Sequence, residues 1–360
     1  MPQPMLSSPQ LENAPTTHRL ILGDARSIDF IPDQSIHLVV TSPPYWNLKR
    51  YNENPAQLGH VDDYERFLGE LAKVWEHTHR ILVPGGRLVC VVGDVCLSRR
   101  SFGRHVVFPL HSDISVICRK LGFDNLNPII WHKIANANYE VNNGTKFLGK
   151  PYEPNAIIKN DIEFILMQRK PGGYRKPTEE QRNLSKIGKD EYHAWFRQIW
   201  TIGGASTRQH PAPFPLELAA RLVRMFSFYG DTVLDPFSGT GTTMLAALKA
   251  GRNSIGIDID PEYCRMAAHR LREETSTLFS KAELVFERAE KLPSGKHVLR
   301  ETTGNYAASS PIPSHPKKPR QSPVPDIRQS ASIRSSAKTP AKSRAAVAKK
   351  RKSALTTRSS

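Results

Sequence analysis

One nonapeptide constrains this chain more than any other stretch: Asp235-Pro236-Phe237-Ser238-Gly239-Thr240-Gly241-Thr242-Thr243. A short apolar run, Thr232 to Leu234, precedes it. A helical pattern from about Thr243 to Lys249 follows and stops at Gly251. Two glycines let the backbone turn sharply and approach a ligand without Cβ clashes. The helix start offers N–H groups that no helical carbonyl satisfies. The next strand, Ser254 to Ile257, runs into Asp258, 23 residues after Asp235 and 17 after Gly241. In nucleotide-binding α/β folds an acid at about that place holds ribose hydroxyls. The same alternation extends along the chain. Strands are expected at 18–23, 36–40, 87–92 and 162–167, and helices at 63–82, 114–121 and 215–228. In the first helix Phe67, Leu68, Leu71, Val74 and Trp75 recur at helical spacing, and Pro84-Gly85-Gly86 breaks the pattern. Strands alternating with helices predict an α/β fold with a doubly wound, mostly parallel sheet.

A GxG turn alone also fits a dinucleotide or a purely structural bend, and Asp258 alone is as readily a turn acid. Three features argue against a phosphate ligand. Asp235 puts negative charge at the loop entrance, no lysine follows the glycines, and the third glycine of the dinucleotide fingerprint is missing. A ligand with a cationic centre and an amino group suits Asp235 better, and S-adenosylmethionine has both.

The second motif is Thr41-Ser42-Pro43-Pro44-Tyr45-Trp46, directly after the strand Ile36 to Val40. Two prolines make a rigid, extended turn and remove two N–H donors, leaving carbonyls free to accept. Ser42 adds a side-chain oxygen and Tyr45 an aromatic face. That set suits a planar group bearing an NH₂. A proline-rich turn with two core aromatics is the bland alternative.

Together the two motifs resemble the amino-directed DNA methyltransferases, in which an SPPY or DPPY turn is paired with a DPFSGTGTT-like loop. The catalytic turn comes first here and the cofactor loop last. That order resembles the β class, a circular permutation of the S-adenosylmethionine-dependent methyltransferase fold. His210-Pro211-Ala212-Pro213-Phe214-Pro215, Ile255 to Tyr263, Ser42 to Tyr51 and Gly23-Asp24 extend the match over about residues 18–270. The resemblance implies roles. Ser42 and the carbonyl of Pro43 would contact the amino group of a flipped base, on a turn stiffened by Pro44, and Tyr45 would stack on it. Asp235, Phe237, Gly239 and Gly241 would wrap the methionine part of the cofactor, and Asp258 would take its ribose. Phe214 would pack near the adenine or close the methionine end. Asp24 would approach the adenine, or is simply a turn acid. Ser42, where adenine-N-6 enzymes usually carry Asp, points to the 4-amino group of cytosine; adenine N-6 is the alternative. Ring C-5 methylation resembles a family with a Pro-Cys nucleophile, and no cysteine here follows a proline. The implied partners are duplex DNA and, in a restriction-modification system, a cognate restriction endonuclease.

Charge supports a polyanionic partner. The chain carries 51 Lys+Arg against 34 Asp+Glu, and residues 311–360 hold 13 of the basic residues with one acid, Asp326. A basic stretch this poor in apolar residues is expected to be disordered alone and to touch phosphates. A solubilising tail is the plain alternative, and a non-catalytic DNA-binding protein or an RNA methyltransferase would suit it too. The expected organisation is a flexible leader at 1–15, a methyltransferase domain at 16–290 and a basic tail at 291–360. Polar, weakly periodic inserts at 132–161 and 170–199 are expected to lie outside the sheet and recognise the target. Lys133, Asn136, Asn138, Asn142, Asn143, Lys146, Arg175, Lys176 and Arg182 are their candidate base readers. Four cysteines lack zinc spacing, so no metal is expected. No ~18-residue apolar run suggests a membrane span. The expected location is the cytoplasm of a bacterium or the nucleus of a eukaryote.

Overall fold

Apolar periodicity and proline and glycine punctuation resolve into the following order of elements. β1 (Thr17–Leu22) and β2 (Ile36–Thr41) come first, and α1 (Tyr64–Ile81) runs directly into β3 (Leu82–Val92). β4 (Val95–Leu97) and β5 (Val106–Phe108) form a small antiparallel pair of their own. α2 (Leu110–Lys120), β6 (Asp124–His132) and β7 (Ile162–Arg169) follow. Then come two short helices, α3 (Glu179–Leu184) and α4 (Lys189–Trp195), and β8 (Ile199–Thr201). The last elements are α5 (Leu216–Phe226), β9 (Thr232–Asp235), α6 (Thr242–Lys249), β10 (Asn253–Asp258), α7 (Pro261–Thr275) and β11 (Glu283–Arg288). The computed structural model describes residues 15–46, 56–98, 102–133, 158, 160–205, 214–276 and 281–291. All of them belong to the unit formed by residues 1–309. The expected leader and basic tail lie outside the described residues, apart from their borders at residues 15 and 291.

Among the described residues nine strands make one sheet in the order β11-β1-β10-β9-β2-β3-β7-β6-β8. Every pairing is parallel except the two made by β7. From β9 the chain crosses through α6 to β10 on one side; from β2 it crosses through α1 to β3 on the other. The β9–β2 seam is therefore the topological switch point, where open α/β sheets bind ligands beyond the strand ends. Both sequence motifs open at this seam.

β3 explains why its sequence reads as a continuous apolar run. Leu88, Cys90 and Val92 face the cluster built with α1 and α2, while Val89 and Val91 face the cluster built with α5. A strand buried on both faces has no polar face to show. α1 begins where the Asp63 side chain accepts the Arg66 N–H at 2.7 Å. It buries Phe67, Leu71, Val74 and Trp75 completely. At about 1.5–3 kcal/mol per large apolar side chain, that stripe alone justifies the helix.

Of residues 170–199, all but Ile199 lie outside the main sheet. They supply α3 and α4 and lead into β8, which lengthens the main sheet by pairing with β6. Trp195 is buried, and its carbonyl accepts the Trp200 indole N–H at 2.8 Å. Glu191 takes Arg224 of α5 through bonds of 2.6 and 2.7 Å. Arg175 is ion-paired with Asp231, whose side chain is 1% exposed, and lies 5.3 Å over the Phe228 ring. Lys176 and Arg182 are exposed. Of the other insert, residues 134–157 lie outside the described residues, and with them Asn136, Asn138, Asn142, Asn143 and Lys146. Among the described residues no helix is long and apolar enough to cross a membrane.

Candidate active site

Past β9 the loop turns at Gly239 (φ 50°) and Gly241 (φ 77°), the second being the N-cap of α6. Such positive φ values favour glycine. Gly256 on β10 is bare for another reason: a Cβ there would collide with Met244 Sδ and lie 2.6 Å from Ser238 Oγ. The loop therefore rests on the strand. Gly239 N–H donates to Asp258 Oδ2 at 2.7 Å, and Ser238 N–H donates to the Ile257 carbonyl at 2.9 Å. Asp258 Oδ1 accepts the Asp260 N–H at 2.9 Å. Arg270 of α7 holds the loop from outside, donating to the Thr240 carbonyl at 2.7 Å. Burial pushes the Asp258 carboxyl up to about 6, against the pull of those two backbone N–H groups.

Asp235 lies beneath the loop and is 1% exposed. Its Oδ1 accepts the Thr41 hydroxyl at 2.6 Å and the Phe237 N–H at 3.1 Å. Burial pushes it up to about 6, while Thr41, Thr243 and the Phe237 N–H pull it down. One buried carboxylate thus ties the strand that carries the proline turn to the loop that carries the glycines. Thr41 did not stand out in the sequence; only the seam between β2 and β9 gives it this partner.

A partly open pocket with about 640 Å³ of empty space, its mouth included, lies over the seam. Ser42 and Pro44 reach it from the proline turn, Pro236 and Phe237 from the glycine loop, and Gly23 and Asp24 from the end of β1. Asp258, Ile259 and Tyr263 form another wall, and Ala25, Ala56, Gln57 and Leu58 complete it. Among the described residues these walls hold two carboxylates and no Lys, Arg or His. They suit a ligand with apolar and hydroxyl-bearing parts and a positive charge. Asp24 is already held by Arg26, at 2.6 Å from Oδ2, and Arg26 also reaches Glu70 at 2.7 Å.

On the other side of the seam the proline turn is braced by aromatic rings. Trp46 adopts φ 46°, a costly value for a bulky residue. Its indole N–H donates to the Val61 carbonyl at 2.7 Å, and its ring meets Tyr64 and Phe108 edge-on at 5.1 Å each. Tyr45 is 7% exposed, and its hydroxyl donates to Glu163 Oε2 at 3.0 Å. Ser42, Pro44, Phe237, Asp24 and Asp258 thus meet in one pocket. Gly239 and Gly241 shape the loop, while Pro43, Tyr45 and Asp235 are buried and are not among the lining residues of this pocket. Phe214 is set apart, buried in the cluster with Leu218 and Leu222 of α5. Residues 210–213 and 47–51 of the resembling motifs lie outside the described residues.

Fold and pocket place a candidate ligand site at the switch point of a doubly wound α/β sheet. Comparison with known proteins supplies the class. The DNA methylase family of N-6 and N-4 amino-methyltransferases matches residues 36–269, and the chain belongs to it. It is 40% identical over 275 residues to the type II methyltransferase M.MjaI of Methanocaldococcus jannaschii, covering 68% of this chain and 88% of that one. With M.MthZI of Methanothermobacter thermautotrophicus it is 34% identical over 317 residues, covering 81% and 85%. Among solved structures, a candidate DNA modification methylase of Thermus thermophilus was determined in complex with S-adenosylmethionine. It is 56% identical, with a TM-score of 0.61 over 75% of this chain and 98% of that one. The cytosine-N4-specific PvuII methyltransferase shares the fold at 19% identity, with a TM-score of 0.53 over 76% of this chain and 97% of that one. Membership makes the chain an S-adenosylmethionine-dependent enzyme that methylates an exocyclic amino group of a DNA base.

Proposed function

We propose that the target is the 4-amino group of cytosine in duplex DNA. The observation that carries this reading is Ser42: a hydroxyl, not a carboxylate, stands where the proline turn enters the cofactor pocket. Asp258 takes the ribose of S-adenosylmethionine, and Phe237 with the Gly239–Gly241 loop packs its methionine part. Asp235 supports that loop from beneath through the Phe237 N–H. The two carboxylates among the described lining residues support this assignment. The bound cofactor supplies a methyl group already activated on a sulfonium.

A cytosine amino nitrogen has its lone pair delocalised into the ring. Ser42 Oγ and the Pro43 carbonyl accept its two hydrogens, which draws density toward the nitrogen and lets it pyramidalise. Tyr45 stacks on the flipped ring, and the rigid turn orients the nitrogen toward the cofactor loop. No covalent enzyme intermediate is needed. Mass analysis of nucleosides from methylated duplex DNA tests the target: N4-methylcytosine is expected, and N6-methyladenine alone would replace cytosine with adenine while leaving the amino-directed chemistry intact. Sequencing methylated DNA from expressing cells would give the recognition site.

A further inference from the structure

Glu163 is a carboxylate that the chemistry above leaves unused, and topology brings it to the base side of the seam. β7 runs antiparallel, so its first residues lie beside the last residues of β3 and β6. Phe164 pairs with Val92, and Glu163 with Trp131. An acid at the start of a strand therefore reaches the carboxyl edge of a mostly parallel sheet. There its Oε2 accepts the Tyr45 hydroxyl at 3.0 Å. Its Oε1 is paired with the Lys133 ammonium, which also lies 4.2 Å from the centre of the Trp131 ring. Both charged side chains are 16% exposed. Gly93, just past β3, makes the room: a Cβ there would lie 3.2 Å from Glu163 Cγ and 3.5 Å from Tyr45 Cε1.

A carboxylate with one oxygen committed to an ammonium presents the other in a set direction. Tyr45 has so little open surface that a small rotation would spoil its meeting with a base. We infer that Glu163 is a positioning residue: through the Tyr45 hydroxyl it sets the angle of the ring that receives the flipped base, and Lys133 holds Glu163 in turn. This rests on the reading that Tyr45 contacts the base.

The test uses full-length protein, a duplex carrying the sequenced target, and the single-turnover methylation rate at saturating DNA and cofactor. Tyr45→Phe and Glu163→Leu should each lower the rate about tenfold to a hundredfold, as expected for losing a hydrogen bond to a charged group. Glu163→Gln should fall between Glu163→Leu and the wild type, because its single amide oxygen can still accept the hydroxyl while its NH₂ cannot accept from Lys133. The double variant Tyr45→Phe/Glu163→Leu should be no slower than the slower single, since both break one bond. S-adenosylmethionine affinity should stay at the wild-type value in all of them. If Glu163→Leu does not fold, Tyr45→Phe against Glu163→Gln decides. A wild-type rate in Tyr45→Phe, or multiplying losses in the double variant, would overturn the inference. Tyr45→Ala separates the two levels: a crippled Tyr45→Ala beside a normal Tyr45→Phe removes the anchor and keeps the base contact. A normal Tyr45→Ala removes the base contact and the inference with it.

Discussion

Asp235 and Asp258 both have carboxyls pushed from about 4 up to about 6, in each case chiefly by burial. A carboxyl raised in the folded state binds protons there that the unfolded chain has already released. Ionising it therefore costs stability, and the ligand-free protein should become less stable as pH rises from about 4 to about 6. A cationic ligand reverses the preference, since it favours the ionised form and expels the proton. S-adenosylmethionine affinity should thus rise with pH, by up to about tenfold per unit for each coupled carboxyl, and level off above about 6. Calorimetric titrations from pH 5 to pH 7.5 check this; a flat profile would mean that neither carboxyl senses the ligand's charge. Single residues were also where sequence legibility ended. The types at Ser42, Asp258 and Phe237 announced themselves, because motif and chemistry coincide there. The covered ring of Tyr45 and the place of Asp235 behind the pocket did not. Both depend on what lies across the seam, and Thr41 is 194 residues away from its partner.

At the scale of elements, the strand–loop–helix unit around the glycines was legible because local rules decide it. Gly256 is the part of that unit most open to a physical test. Gly256→Ala would force a methyl against Met244 and Ser238. Overpacking of this kind should cost about 1–3 kcal/mol and shift the loop, weakening cofactor binding as well. Urea denaturation and cofactor titration of the same variant measure both; an unchanged midpoint would show that the loop has slack. β6 was missed because Asn125, Asn127 and Pro128 interrupt its apolar pattern, and only its far end is well buried. The segment after β7 read as polar loop because its anchors are isolated. Trp195 is a lone buried ring, and Arg175 looks like a base reader until Asp231 is beside it. Arg175→Met should leave Asp231 buried without its guanidinium and cost about 3 kcal/mol. The target sequence should not change. A variant with wild-type stability and an altered target would return Arg175 to DNA recognition.

For the whole molecule, charge is divided unevenly: residues 311–360 hold 13 of the 51 basic residues and a single acid. A polycation binds duplex DNA by releasing counterions, so its contribution depends steeply on salt and not on sequence. Deleting residues 301–360 should leave the target sequence unchanged, weaken binding to nontarget duplex and flatten the plot of log affinity against log salt. Identical slopes would leave the tail a solubilising segment. The doubly wound architecture was legible from the alternation of elements, yet the position of β1 was not, because nothing local says which strands it joins. It lies between β10 and β11, and the Thr17 N–H donates to the side-chain oxygen of Asn253, 236 residues further on, just before the β1–β10 ladder starts at His18 and Ser254. That placement has a consequence for synthesis. Once β1 has left the ribosome, its neighbours follow only after roughly 10–50 s of further translation at ~5–20 residues per second. Until then Leu20 and Ile21, which end 2% and 0% exposed, have no sheet to enter. A chain terminated before Asn253 never closes that gap, so premature release yields a product with a bare apolar strand, the kind that aggregates or is degraded.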